Sequence, residues 1–219
     1  KFGYDLSTPD INKINDSDYV IYIEMPKILP RDTDIAKSFL IINECEVVKP
    51  QNWDFEKHKK FKKIFTWNDT IIDNSKYFKI NFSQQIPRSI DQNINIKSKF
   101  CTMIAGNKKA NHPLELYSKR IEAIRWFECN HSEDFDLYGT NWKKNEKLIQ
   151  MTKFLKIPIL TKEIFKIFNI YPSYKGKIPS KNEILKQYKF CICYENARDI
   201  PGYITEKIFD CFFAGCVPV

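Results

Sequence analysis

Short apolar runs separated by polar, turn-rich stretches mark the first eighty or so residues. Asp18-Tyr19-Val20-Ile21-Tyr22-Ile23 reads as a buried strand. Ser38-Phe39-Leu40-Ile41-Ile42 reads as a second, ending at Asn43-Glu44-Cys45-Glu46, and Phe61 to Trp67 as a third, before the turn-like Asn68-Asp69. Strands at this spacing, with linking segments between them, predict part of an α/β domain. Residues 83–98 are polar and aperiodic and read as a linker. Beyond them, Phe100 to Ile104 predicts a strand running into the small-residue loop Ala105-Gly106-Asn107-Lys108-Lys109. An amphipathic helix then starts at Pro113, with Leu114, Tyr117, Ile121, Ile124 and Phe127 on one face. Near the end, Phe190 to Tyr194 predicts a buried strand. A polar loop follows, then a helix capped by Thr205 and ended by Gly215, and Val217-Pro218-Val219 opens another strand. Strand, loop, helix, strand is a unit of parallel α/β structure, in which ligands lie beyond the carboxyl ends of the strands. Glu195, Asn196, Tyr203, Glu206 and Lys207 are concentrated there.

The pattern divides the chain into residues 1–98 and 99–219. With 219 residues, 43% of them hydrophobic, there is enough apolar material for packed cores. No run of eighteen apolar residues predicts a membrane span. The chain opens on Lys1 and stops within an expected strand, so both domains are expected to be incomplete at the outer ends. The net charge of +8 is uneven: residues 1–98 hold 15 Lys and Arg against 14 Asp and Glu, and residues 99–219 hold 20 against 13. A basic second half suits a phosphate-bearing ligand. It suits nucleic acid or an anionic membrane equally well, although no nucleic-acid recognition motif accompanies it. The seven cysteines show no metal spacing, and Cys191 and Cys193 read as small core residues. Their odd number leans towards a reducing compartment. Four Asn-x-Ser/Thr triplets, at Asn15, Asn68, Asn81 and Asn130 among seventeen asparagines, leave the compartment open.

Several side chains carry candidate chemistry. Lys207, in the first turn of the last helix, adds a full charge to an N-terminus that already favours phosphate. Glu206 beside it either complements the helix dipole or accepts hydrogen bonds from sugar hydroxyls; with Tyr203 and Lys207 it suggests a nucleotide-sugar diphosphate. Arg120 falls inside the apolar arc of the 113–127 helix, while Lys119 and Glu122 point away. An arginine there needs an anionic partner, either a carboxylate of the domain or a diphosphate. Asp134 and Asp136 in Asp-Phe-Asp-Leu-Tyr-Gly invite a metal reading, but two carboxylates alone are weak evidence for one. His58, His112 and His131 sit in polar segments and read as surface residues.

The runs Tyr188-Lys189-Phe190, Tyr194-Glu195-Asn196, Gly202-Tyr203-Ile204-Thr205-Glu206-Lys207-Ile208 and Ala214-Gly215-Cys216-Val217-Pro218-Val219 closely resemble the signature of the α-1,3-fucosyltransferases, glycosyltransferase family 10. The resemblance is strongest over residues 188–219 and weaker over 100–142. It implies a GT-B fold, in which two Rossmann-like domains face a cleft, 1–98 on the acceptor side and 99–219 on the GDP-fucose side. It implies inverting transfer of L-fucose from GDP-fucose to O3 of an N-acetylglucosamine-type glycan, with no metal or other cofactor required. The alternatives are a non-catalytic nucleotide-sugar-binding fragment and a GT-B transferase using another nucleotide sugar. Donor-binding roles carry over to Arg120, Asn196, Tyr203, Glu206 and Lys207. The general base carries over to Glu44, with Glu46 as second choice, because both follow the strand 38–42 and their i, i+2 spacing does not separate them. Peripheral membrane association is one option, and the compartment stays open: the cytoplasmic face of a membrane if the chain is bacterial, the Golgi lumen if it is eukaryotic.

Overall fold

The computed structural model describes residues 3–91, 93–155 and 158–219, with the backbone alone over 153–155 and 158–162. The chain forms two compact units. One comprises Lys1–Phe82 with Asp199–Tyr203, the other Ser83–Arg198 with Ile204–Val219. Each is built on a wholly parallel sheet.

The first sheet runs β1 (Val20–Ile23), β2 (Ser38–Ile42), β3 (Lys63–Thr66), β4 (Tyr77–Lys79), side by side in chain order. Its core is Met25, Leu40, Ile42, Phe61 and Ile64. Two expectations change here. The 18–23 run is not a buried strand: among the described residues β1 has a neighbour on one side only, and Tyr19, Ile21 and Ile23 are exposed. The third strand starts at Lys63, because Phe61 leaves the ladder and is fully buried in the core ahead of it. The opposite face of the sheet carries a ladder of rings, Tyr19 to Phe39 to Phe65 to Phe78, with centroids 5.9, 6.5 and 5.9 Å apart.

His58 corrects a third expectation. It ends the short helix α1 (Phe55–His58) and is 1% exposed. Its Nε2 lies 2.7 Å from the carbonyl of Asn52, which can only accept, so Nε2 carries the proton and Nδ1 accepts from Tyr77 Oη at 3.0 Å. The polar neighbours Lys57, Lys59 and Lys60 hid a histidine that the turn directs inward. His112 is half-buried and His131 exposed.

The second sheet has the order β7 (Tyr174–Gly176), β6 (Phe135–Tyr138), β5 (Lys99–Ile104), β8 (Tyr188–Cys191), β9 (Val217–Pro218). The chain begins at the centre, winds outward through β6 and β7, then crosses to the other side of β5. A topological switch point therefore lies between β5 and β8. Alternation along β5 sends Cys101 and Met103 to the face covered by α2 (Tyr117–Asn130), with Ile124, Phe135 and Leu137. The other face carries Tyr138, Tyr188, Cys191, Cys211, Ala214 and Cys216, beneath α5 (Lys181–Leu185) and α6 (Glu206–Phe213). All seven cysteines are unpaired; Cys191 is buried and Cys193 half-buried against the second cluster. Between β6 and β7 lie α3 (Glu146–Leu155) and α4 (Pro158–Ile167). None of the described helices is long and apolar enough to cross a membrane.

α2 starts at Tyr117 rather than Pro113. Residues 114–116 pair with the 196–198 segment instead: Leu116 N–H donates to Asn196 O at 3.1 Å and Arg198 N–H to Leu114 O at 2.9 Å. Glu115 then receives Ser118 N–H at 2.9 Å and caps the first turn. β8 begins two residues earlier than expected, at Tyr188 opposite Lys99. Lys97, at the end of the expected linker, is 5% exposed, and its ammonium donates to the carbonyls of Leu185, Lys186 and Ala214 at 3.4, 3.0 and 3.0 Å.

Gly139 closes the Asp-Phe-Asp-Leu-Tyr-Gly segment at φ +131°, where a Cβ would fall 1.9 Å from Ala105 O. Gly139→Ala is expected to lower the urea midpoint of the second unit well beyond Gly176→Ala, whose Cβ meets nothing within 4 Å. Backbone strain of about 1–3 kcal/mol is common to both, since Gly176 lies at φ +117°, so the difference between them reads the clash with Ala105. Burial holds the His58 imidazole below its ordinary 6.5, so the unfolded chain binds more protons. Stability is then expected to be full above pH 6.5 and to fall as the pH drops below it, a dependence that His58→Gln should flatten in thermal melts across pH 4.5–7.5.

Candidate functional site

The carboxyl ends of β5 and β8 flank the switch point, and charged side chains gather there. Arg120 reaches it from α2. It is 5% exposed, and its Nη2 donates to Tyr194 O and Glu195 O at 2.9 Å each and to Asn196 Oδ1 at 3.1 Å. The guanidinium also lies over the Tyr117 ring, 4.9 Å from the centroid. Its helical position inside the apolar face sends it towards the backbone of the loop that follows β8, so it holds that loop in shape. Asn196 is fixed twice, through Oδ1 by Arg120 and through its carbonyl by Leu116.

Glu195, one residue away, faces the start of α6. Its carboxylate accepts the Thr205 backbone N–H at 2.8 Å, the Thr205 hydroxyl at 2.8 Å and the Lys207 ammonium at 3.0 Å. Thr205 caps α6 as its sequence predicts, accepting Lys207 N–H, and Lys207 Nζ also donates to Thr205 Oγ1 at 2.9 Å. Glu206 lies 3.8 Å from Lys207 and 3.4 Å from Lys181; Lys181 also meets Asp210 at 2.8 Å. Burial raises the Glu206 carboxyl, but Lys207 and Lys181 outweigh it and hold the group below its ordinary range. Arg120, Asn196, Glu206 and Lys207 thus assemble within the second unit, around Glu195, a residue to which sequence reasoning gave no role of its own.

The remaining candidates lie in the first unit. Tyr203 is 7% exposed and packs at a tilt against Trp67 with ring centroids 4.5 Å apart. Gly202 lets this segment approach: a Cβ there would sit 2.3 Å from Trp67 O. Burial pushes the Cys45 thiol up, and Tyr203 offsets part of that rise. Glu44 and Glu46 follow β2, and the structure distinguishes them: Glu44 is half-buried, Glu46 exposed.

Glu24, which sequence reasoning did not single out, organises the Glu44 segment. It follows β1 at φ +66°, and its carboxylate accepts the backbone N–H groups of Asn43 and Glu44 at 2.8 and 3.1 Å and the Asn52 side-chain amide. Asn52 is fully buried, accepts Met25 N–H at 2.8 Å, and donates to Glu44 O at 3.2 Å. Trp53 Nε1 reaches the same Glu44 carbonyl at 3.3 Å, and Trp67 Nε1 donates to Asn43 O at 2.8 Å. An acid at the carboxyl end of a predicted strand was the available signal for Glu24.

The paired aspartates are engaged elsewhere. Asp136 meets Lys99 at 3.0 Å, Lys175 at 3.2 Å and Tyr188 Oη at 2.5 Å, and Asp134 meets His131 at 3.5 Å. Among the described residues, no three His, Cys, Asp or Glu gather in a way that could hold a metal ion.

If Glu24 is the clamp on the Asn43-Glu44 backbone, Glu24→Ala leaves two N–H groups without their acceptor. Amide exchange at Asn43 and Glu44 is expected to speed up at least about tenfold relative to amides within β3. Hydrogen-exchange mass spectrometry or NMR would read this, and unchanged protection at both amides would refute it.

No protein-family profile matches the chain. Over 42 residues the chain is 48% identical to the alpha-(1,3)-fucosyltransferase FucT of Helicobacter pylori, a stretch that covers 19% of this chain and 9% of that protein.

Proposed function

We propose that the chain is part of an inverting fucosyltransferase of GT-B type. On this reading the second unit binds GDP-fucose and the first carries the base that activates a glycan hydroxyl. One observation carries it: a capped helix N-terminus, Lys207, Arg120 and Asn196 meet at the carboxyl ends of β5 and β8, the switch point at which a doubly wound sheet binds nucleotides. The 48% identity to a fucosyltransferase over 42 residues supports fucose as the transferred sugar.

In the proposed reaction, an acceptor hydroxyl attacks C1 of fucose as its proton passes to Glu44, and the bond from C1 to the diphosphate oxygen breaks with inversion. The departing GDP carries the negative charge. Lys207 and the N–H groups at the start of α6 stabilise it, while Arg120 adds a fixed positive charge behind the loop after β8. Glu206 accepts from the ribose hydroxyls and Asn196 shapes the nucleotide pocket; Tyr203, buried against Trp67, takes no direct part in this reading. Glu44 is preferred to Glu46 because its backbone is held on both sides, by Glu24 at N–H and by Asn52 and Trp53 at C=O. A base fixed in position loses less freedom on reaching the transition state.

Calorimetric titration with GDP-fucose, GDP-mannose and UDP-galactose tests the donor. Selective GDP-fucose binding, weakened at least about tenfold in Lys207→Ala, is expected; equal binding of all three refutes the donor assignment. Glu44→Gln is expected to keep donor binding and lose about 10²–10⁴ in transfer rate. Loss of transfer in Glu46→Gln with full rate in Glu44→Gln would move the base to Glu46.

A further inference from the structure

The proposed phosphate seat is already filled by the protein itself. Glu195 takes the Thr205 backbone N–H, the Thr205 hydroxyl and the Lys207 ammonium, all within 3.0 Å. These donors, an amide at a helix start, a capping hydroxyl and a cation, are the set an incoming phosphate would use. The contact is not a loose surface pair, since the side chains of Lys207 and Glu195 are 22% and 19% exposed. Nor is the cluster cationic as it stands. Glu195, Glu206 and Asp210 pair with Lys181 and Lys207, while Arg120 is set against backbone carbonyls, so the named charges are three of each sign. A diphosphate entering this arrangement unchanged would meet a carboxylate on the very groups it needs.

We propose that Glu195 is an internal anion that competes with a diphosphate for Lys207 and the Thr205 N–H. Diphosphate binding displaces it, and Glu195 thereby sets how tightly the nucleotide is held. This rests on the donor-site reading above and adds to it a determinant of diphosphate affinity. It also predicts an effect opposite in sign to that of a supporting salt bridge. A residue that merely orients Lys207 would weaken diphosphate binding when neutralised, whereas a competitor strengthens it. Glu195→Gln separates the two, because the amide oxygen still accepts Thr205 N–H and Thr205 still caps α6 while the charge is gone.

The measurement is calorimetric titration of the whole chain with inorganic pyrophosphate and with GDP, with a thermal melt of each variant to establish folding. Glu195→Gln is expected to bind both about tenfold more tightly than the unsubstituted chain. In a Lys207→Met background the same substitution should give little gain, since the contested cation is absent. Unchanged or weaker pyrophosphate binding by Glu195→Gln overturns the proposal, as does a gain that survives in full without Lys207, which would mean general repulsion instead of competition. Should Glu195→Gln fail to fold, Glu195→Asp keeps the charge but draws it back by one methylene, and intermediate tightening is expected. If neither the unsubstituted chain nor folded Glu195→Gln binds pyrophosphate or GDP, the donor-site reading fails and this inference falls with it. A failure of the inference alone shows as an unsubstituted chain that binds and a variant that gains nothing.

Discussion

A buried guanidinium facing backbone carbonyls is the interaction on which the second unit's site depends. Arg120 cannot shed its charge, so burying it is tolerable only with strong acceptors around it. The carbonyls of Tyr194 and Glu195 and the Asn196 amide supply them. Those groups would otherwise lie at the end of β8, where the ladder stops and backbone acceptors need partners. One side chain therefore meets two needs, and the loop bearing Glu195 and Asn196 is held at the switch point by a residue of a different element. The start of α2 follows from the same junction, because residues 114–116 pair with 196–198 before the helix can begin.

The first unit reaches a comparable result with the opposite charge. Glu24, in a left-handed backbone conformation, receives consecutive N–H groups beyond β2, and the buried Asn52 links that carboxylate to the neutral His58. Lys97 repeats the device with three carbonyls near the ends of α5 and α6. In each case a full charge is set against backbone dipoles. Such contacts are directional and stay put, unlike the exposed pairs Lys59–Glu56 and Lys119–Glu122, which add little to stability.

The net charge of the chain is a poor guide to its local fields. The second half is strongly basic, yet around α6 the cations Lys181 and Lys207 are matched by Glu195, Glu206 and Asp210. An anion-binding place of this kind is defined by donors that can change partners, and ion pairing decides whether those donors are available.

Apolar periodicity by itself determined the α/β class, most of the strands, the amphipathic face of α2 and the Thr205 cap, because these depend on neighbours along the chain. It placed Arg120 on the inward arc and put Asn196, Glu206 and Lys207 at a strand end and a helix start. Tertiary structure decided the rest. Tyr19, Ile21 and Ile23 look buried in the sequence, but among the described residues β1 has a strand on one side only. His58 looks exposed among lysines, yet Asn52, six residues back, and Tyr77, nineteen residues on, draw it inward. Glu24 and Glu195 acquire their roles only when residues 19 or 20 positions away, and 10 or 12 positions away, fold against them. Hydrophobic patterning reports which way a side chain faces; what it meets there is set by the order in which strands pair.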